Sequence, residues 1–130
     1  MLEKDQIKLE IQEESVYPNK EIHGKIIINY DGRYDTIVIN SQIEDSSDIV
    51  KYIEMNGKKI NYNYPRISLF KSDLPNPKTV EFSAITTHIP KNISKVKFRT
   101  SIIQEHKEIA NDVVFLEIRK KEVNDDMAEL

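Results

Sequence analysis

The residues best suited to chemistry in this sequence are its histidines, its serines and a short run of carboxylates. His23, His88 and His106 lie far apart, and none has the H-x-x-x-H spacing that directs two histidines at one metal ion. No serine stands in a G-x-S-x-G motif, cysteine is absent, and three scattered glycines do not build a phosphate-binding loop. The sequence therefore predicts no catalytic centre, no cofactor and no resident metal, and it argues against an enzyme.

The run of carboxylates is Glu44-Asp45-Ser46-Ser47-Asp48. Oxygen ligands at alternate positions suit a hard cation such as Ca²⁺. The run lacks the glycine and the distal glutamate of an EF-hand loop, so a solvated turn between strands is the favoured interpretation. Glu44, Asp45 and Asp48 stay candidates for contact with a ligand or a partner.

Three tyrosines, Tyr52, Tyr62 and Tyr64, surround a predicted hairpin and form a second group of candidates. On an exposed face they could stack on a sugar or anchor a peptide. Alternation along the strand equally places Tyr62 and Tyr64 in the core beside Ile60, and this structural interpretation is favoured.

Composition and periodicity both favour strands as the elements that position these residues. Isoleucine is the commonest residue with 20 copies, whereas leucine has six and alanine three. β-branched side chains fit the pleated, half-buried surface of a sheet. Apolar and polar residues alternate in successive short segments, and no window of a dozen residues has a helical period. The predicted strands include residues 7–11, 22–30, 37–43, 60–64, 80–84, 96–102 and 113–118. We therefore predict an all-β fold of seven to eight strands in two packed antiparallel sheets, with a closed barrel as the alternative.

Turn residues mark where the predicted strands reverse. Asp31-Gly32 and Asn56-Gly57 suit the positive φ angles of a type I′ turn, so each is predicted to join two hairpin strands. Gly24 lies inside a strand, where a glycine often marks a bulge or a close backbone approach.

Length and charge limit the classes of protein that this chain can belong to. Its 130 residues fit one domain, assigned to residues 1–121 and followed by an acidic tail, 122–130, that is predicted to be disordered. The net charge is −3, from 19 basic and 22 acidic residues of interspersed sign, which disfavours nucleic acid as a partner. A polar start and short aliphatic runs predict no signal peptide, no transmembrane segment and a cytoplasmic location. The isoleucine, lysine and asparagine content is typical of a prokaryotic source.

Two stretches of the sequence resemble the N-terminal domain of arrestins. In residues 16–28, Tyr17-Pro18 leads into a strand with an internal glycine, although Asn19 stands where the family usually has glycine. Residues 80–90, followed by 96–102, are similar to the arrestin segment in which an aromatic-containing strand ends in proline before the next strand. The resemblance implies an immunoglobulin-like β-sandwich that acts as a scaffold or adaptor, and no binding residue carries over from it.

The function that we predict is a non-catalytic protein–protein interaction or adaptor module of arrestin-like type. Such a module can bind a protein partner through an edge strand, and a homodimer through an edge strand is a further option. Lys58, Lys59, Lys95 and Lys97 would alternatively guard such edges against aggregation. The alternative function is a carbohydrate- or small-ligand-binding sandwich, assisted by calcium, that uses the tyrosines and the carboxylates.

Overall fold

A computed structural model describes residues 6–121 as ten strands and one turn of 3₁₀ helix. The strands are β1 (Ile7–Ile11), β2 (Ser15–Val16), β3 (Ile22–Ile28), β4 (Thr36–Ile43), β5 (Lys51–Met55), β6 (Lys58–Tyr62), β7 (Arg66–Phe70), β8 (Thr79–Ile85), β9 (Ile93–Gln104) and β10 (Lys107–Arg119), and the 3₁₀ turn is Lys71–Asp73. The predicted all-β class is confirmed, with more strands than the seven to eight expected. The predicted tail, 122–130, lies outside the described residues.

Two five-stranded sheets make up the sandwich. Sheet A has the order β1-β3-β8-β5-β6, and sheet B has the order β2-β10-β9-β4-β7. Every pairing is antiparallel except that of the two-residue β2, which runs parallel to β10. The chain crosses between the sheets along both sides of the sandwich, from β1 to β2 on one side and from β6 to β7 on the other.

The hydrophobic core lies between the two sheets and follows the period-two pattern of the sequence. In β3, for example, Ile22, Ile26 and Ile28 are buried, whereas His23 and Lys25 point to solvent. Each fully buried isoleucine contributes about 1.5–3 kcal/mol by leaving water. Gly24 faces the same core opposite its pairing partner Phe82, whose ring occupies the space that a β-carbon would need. The predicted close approach at this glycine is therefore confirmed.

Only one of the two predicted hairpin turns is correct. Asn56-Gly57 joins β5 to β6 with φ angles of 50° and 83°, as a type I′ turn requires. The prediction for Asp31-Gly32 is wrong, because this dipeptide lies in the connection that carries the chain from β3 in sheet A to β4 in sheet B. The other tight hairpin joins β9 to β10 through Glu105-His106, at φ angles of 50° and 65° without glycine.

Candidate functional site

The three candidate tyrosines extend from the core to the surface. Tyr52 is fully buried, and its hydroxyl donates a hydrogen bond to the carbonyl of Pro65 at 2.8 Å. Burial raises the pKa of the Tyr52 hydroxyl, which keeps it protonated and donating. Tyr62 is half-buried and donates to the carbonyl of Arg66 at 2.8 Å, while Tyr64 is 66% exposed and meets the Tyr62 ring edge-on at 5.6 Å. The favoured placement in the core beside Ile60 therefore holds for Tyr62, which packs against the core, and is wrong for Tyr64, which is the one of the three available to a partner.

The candidate carboxylates point to different neighbours. Glu44 and Asp45 line a 290 Å³ hollow together with Lys95 and Lys97, whose ammonium groups make it unsuited to a cation. Asp48 turns away from this hollow and pairs with His88. Among the residues that the structure describes, no group of three His, Asp or Glu side chains converges on a position that could hold a metal ion.

His88 connects Asp48 to Ser94 in an order that resembles a serine-hydrolase relay. Its Nδ1 lies 2.8 Å from Asp48 Oδ2, and its Nε2 lies 2.9 Å from Ser94 Oγ. Ser94 pairs with Ile118 at a hydrogen-bonded position of the β9–β10 ladder, which commits its backbone N–H and leaves it unable to serve as an oxyanion donor. These contacts join the β4–β5 loop to the β8–β9 loop and to the start of β9. The residues involved are too far apart in sequence for spacing to have indicated them.

A second pair, His23 and Glu13, lies on the outer face of sheet A. The carboxylate of Glu13 accepts hydrogen bonds from the imidazole and from the backbone N–H of His23. The hydrogen bond to Glu13 raises the pKa of His23 above its ordinary value. Both groups border the β1–β3 side of the sandwich, where they fix the loop that follows β1.

The outermost strand of sheet B, β7, has a backbone edge that faces away from its neighbour. The backbone N–H of Ser41 donates to the carbonyl of Pro65, and the backbone N–H of Lys71 donates to the carbonyl of Asp35. The odd-numbered residues of this segment therefore direct their backbone groups toward β4. In an antiparallel pair the intervening residues direct N–H and C=O to the opposite side. Because Tyr62 already binds the carbonyl of Arg66, Ser68 lies at the centre of the open part of this edge.

An apolar groove runs along this edge, between β6 of sheet A and β7 of sheet B. Its volume is 260 Å³. Phe70, one of its lining residues, is 58% exposed. The apolar side chains that line this edge groove are Met55, Ile60, Leu69, Phe70, Leu74 and Pro75. Period-two alternation predicted a strand at residues 60–64, overlapping β6, but not the strand β7 or the groove between the two sheets.

The four lysines of the edge-guard interpretation lie on two different kinds of strand. Lys58 and Lys59 lie on β6, the outermost strand of sheet A, as that interpretation requires. Lys95 and Lys97 lie on β9, the central strand of sheet B, and cannot guard an edge. Charge alone does not distinguish an outer strand from a central strand whose outward face is in water.

No protein-family model and no curated protein sequence matches this chain. Solved structures do match it over most of its length. The human F-spondin reeler domain (fragment 1) has a TM-score of 0.58 at 10% identity, covering 88% of this chain and 89% of that one. A conjugative transposon lipoprotein from Bacteroides eggerthii DSM 20697 has a TM-score of 0.51 at 7% identity, covering 85% and 96%. The CFA/I enterotoxigenic E. coli adhesin CfaE has a TM-score of 0.53 at 8% identity, covering 92% of this chain and 50% of that one.

These likenesses show the fold alone, because sequence identity is 10% or less. The chain is similar to a reeler domain, a lipoprotein and an adhesin, and none of these three is an arrestin. The general β-sandwich is therefore confirmed, whereas the arrestin-type assignment stays a prediction. No helix among residues 6–121 is long and apolar enough to cross a membrane.

Proposed function

We propose that this protein is a non-catalytic binding module that captures an extended segment of a protein partner by strand addition to β7. The observation that supports this proposal most directly is the coincidence of an open backbone edge at Ser68 with the apolar edge groove beside it. An added strand satisfies its backbone groups on such an edge and places alternate side chains in a groove. The adhesin among its structural neighbours is a sandwich of similar fold, which agrees with a binding role.

Two exposed aromatic rings flank the open edge. Tyr64 precedes β7 and Phe70 ends it, so the six residue steps between them span about 20 Å of extended chain. Aromatic side chains often anchor interfaces, because they bury a large area with little loss of conformational freedom. The geometry thus fits an extended segment of roughly seven residues.

The proposal is tested by selecting random peptides displayed on phage against the full chain and comparing two variants. Ser68→Pro removes the outward N–H without breaking a ladder hydrogen bond, since proline is tolerated at an open edge. Ser68→Ala removes only the hydroxyl and is the matched control. We expect Ser68→Pro to weaken binding of the selected peptides by about 10-fold or more, and Ser68→Ala to retain it. Undiminished binding by a folded Ser68→Pro protein, or a selection without enrichment, would overturn the proposal.

The carbohydrate- or calcium-assisted alternative has less support in this structure. Tyr52 is buried, Asp48 pairs with His88, and Glu44 and Asp45 lie beside lysines. The adaptor role, the homodimer and the cytoplasmic location stay predictions.

A further inference from the structure

A hollow larger than the edge groove lies at the end of the sandwich where β7 ends, β4 begins and β9 turns into β10. Its volume is 840 Å³, which lies within the range of about 300–1,000 Å³ that is typical of small-molecule sites. Aromatic, aliphatic and charged residues line it together. This end hollow therefore offers a small ligand both apolar contacts and ion pairs.

The apolar part of the end hollow includes surface that is exposed to water. Phe70, Thr36 and Ile103 are neighbours in one cross-strand row of sheet B, and Phe70 is 58% exposed. Beside them the buried Tyr34 donates a hydrogen bond from its hydroxyl to the carbonyl of Pro77 at 3.2 Å. An apolar group bound here would cover Phe70 and Ile103 and so remove apolar surface from water.

Asp35 is held at the end hollow by contacts with three parts of the chain. Its backbone N–H donates to the carbonyl of Ile103 at 2.8 Å, and its own carbonyl accepts from the N–H of Lys71 at 2.9 Å. Its Oδ2 accepts from the N–H of Glu105 at 2.7 Å. Within residues 6–121, Oδ1 of Asp35 has no hydrogen-bond or ion-pair partner, so this oxygen is free to accept from a ligand.

Lys71 brings a positive charge to the same hollow. Its ammonium group lies 4.6 Å from the centre of the Tyr34 ring, a cation–π contact that does not occupy its N–H donors with an acceptor. No ion pair joins Lys71 to Asp35 in the part of the chain that the structure describes, although their backbones are hydrogen-bonded. His106 adds an imidazole to the lining. The end hollow thus carries one carboxylate and one ammonium group that are not paired with each other.

We propose that the end hollow binds a small zwitterion with an apolar side chain, of the class of the free apolar α-amino acids. The ligand carboxylate pairs with Lys71, its ammonium group pairs with Asp35, and its side chain covers Phe70 and Ile103. A ligand of a single sign would meet a like charge at Lys71 or at Asp35, which disfavours it. Because these two charges belong to neighbouring residues, a ligand that bridges them must carry its own two charges close together, as an α-amino acid does.

The competing explanation is that both charged residues are only structural. Asp35 would then serve to fix the β9–β10 hairpin, and Lys71 to cover the Tyr34 ring. This explanation predicts that substitutions at either position change stability alone, and that amino acids do not bind at the hollow.

The test is a titration of the ¹⁵N-labelled full chain with millimolar L-phenylalanine, followed by ¹H–¹⁵N NMR. We expect the amide resonances of Lys71, Ser72 and His106, which line the hollow, to shift and saturate. N-acetyl-L-phenylalanine lacks the ammonium group and L-phenylalaninamide lacks the carboxylate. Each should bind about 10-fold or more weakly, because a hydrogen bond to a charged group is lost.

Two substitutions in the protein assign each charge to its partner. Lys71→Met should weaken L-phenylalanine by about 10-fold or more but leave L-phenylalaninamide unchanged, since that ligand has no carboxylate to lose. Asp35→Asn, which keeps an acceptor for the N–H of Glu105, should weaken L-phenylalanine but not N-acetyl-L-phenylalanine. The matched controls Lys91→Met and Asp45→Asn, at exposed positions outside the hollow, should change neither ligand. Urea unfolding shows whether each variant folds.

The outcomes separate this inference from strand addition at β7. If L-phenylalanine shifts no amide of the end hollow, or if the two blocked ligands bind as tightly as it does, the zwitterion site is wrong. Equal losses for all three ligands in Lys71→Met would also overturn it, because the ammonium group would not be recognising a carboxylate. The phage selection against β7 is scored independently, so either proposal can fail while the other stands.

Discussion

The two sides of the sandwich differ in what the outward backbone groups of their outermost strands contact. On the side of β1 and β10, the N–H of Leu9 points away from its own sheet and donates to Asp112 Oδ2 of β10 at 2.8 Å. The other carboxylate oxygen of Asp112 accepts from the N–H of Val113 at 3.0 Å. On the side of β6 and β7, the outward backbone of Ser68 borders the apolar edge groove.

Both sides use a chain crossover between sheets, so the crossover itself does not decide whether an edge is open. The two sides differ by the inward-pointing carboxylate of Asp112, and inward-pointing charged residues are one way in which proteins prevent other strands from pairing with an edge. β2 adds to the closure by pairing with the end of β10. We infer that the β1–β10 side is built for stability and the β6–β7 side for binding.

The largest expected effect comes from removing the carboxylate that closes the first side. Asp112→Ala leaves the N–H of the buried Leu9 without its acceptor, and should lower the free energy of unfolding by about 1–3 kcal/mol in urea titrations. Asp73→Ala, at the open side, is the control and should change it by about 0.5 kcal/mol or less. Equal losses in the two variants would contradict the distinction between the sides.

A smaller effect is expected at the crossover of the open side. Tyr52→Phe removes the hydrogen bond to the carbonyl of Pro65 and should cost about 1 kcal/mol of unfolding free energy. Tyr62→Phe, in which water can replace the half-buried hydroxyl, should cost less. If the two variants were equally destabilised, the buried hydrogen bond would not be what fixes the crossover.

The smallest effect concerns pH and the pair of His23 with Glu13 on the closed side. The hydrogen bond to Glu13 raises the pKa of His23 above its ordinary 6.5. Burial tends to raise the pKa of Glu13, but the hydrogen bonds from His23 outweigh it and hold that pKa below 4.5. The contribution of His23 to the free energy of unfolding is complete below pH 6.5 and is lost as pH rises through its raised pKa. The contribution of Glu13 to the same free energy is complete above pH 4.5 and is lost as pH falls through its lowered pKa.

The two pKa shifts together define a pH range in which the pair of His23 and Glu13 stabilises the fold most. The difference in unfolding free energy between the parent protein and His23→Gln should be greatest between pH 4.5 and 6.5 and decline on either side. Urea titrations at a series of pH values measure it. A difference that does not vary with pH would show that the pair acts only by packing.

The sequence was sufficient for the all-β class and for individual core positions, because period-two alternation reports which face of a strand is buried. Gly24 was assigned correctly for the same reason. Asp31-Gly32 was assigned wrongly, since a turn dipeptide does not report whether the following strand returns to the same sheet. The hairpin at Glu105-His106 escaped notice because positive φ without glycine or asparagine leaves little trace in sequence.

The candidate site was less predictable than the fold. The favoured placement of Tyr64 in the core was wrong, because the chain leaves sheet A after Tyr62 and Tyr64 is 66% exposed. The edge groove and the pairing of His88 with Asp48 join residues that are distant in sequence. Strand order determines such contacts, and alternation does not encode strand order.

The row of neighbouring tyrosine rings at the crossover affects the intrinsic fluorescence of the protein. The protein has no tryptophan, so its six tyrosines dominate the intrinsic fluorescence. The rings of Tyr64 and Tyr62 are 5.6 Å apart, and those of Tyr62 and Tyr52 are 6.3 Å apart, close enough to exchange excitation energy. A segment that displaces or covers Tyr64 will alter that exchange and the emission. Tyrosine fluorescence can therefore report binding at the edge groove without an added label.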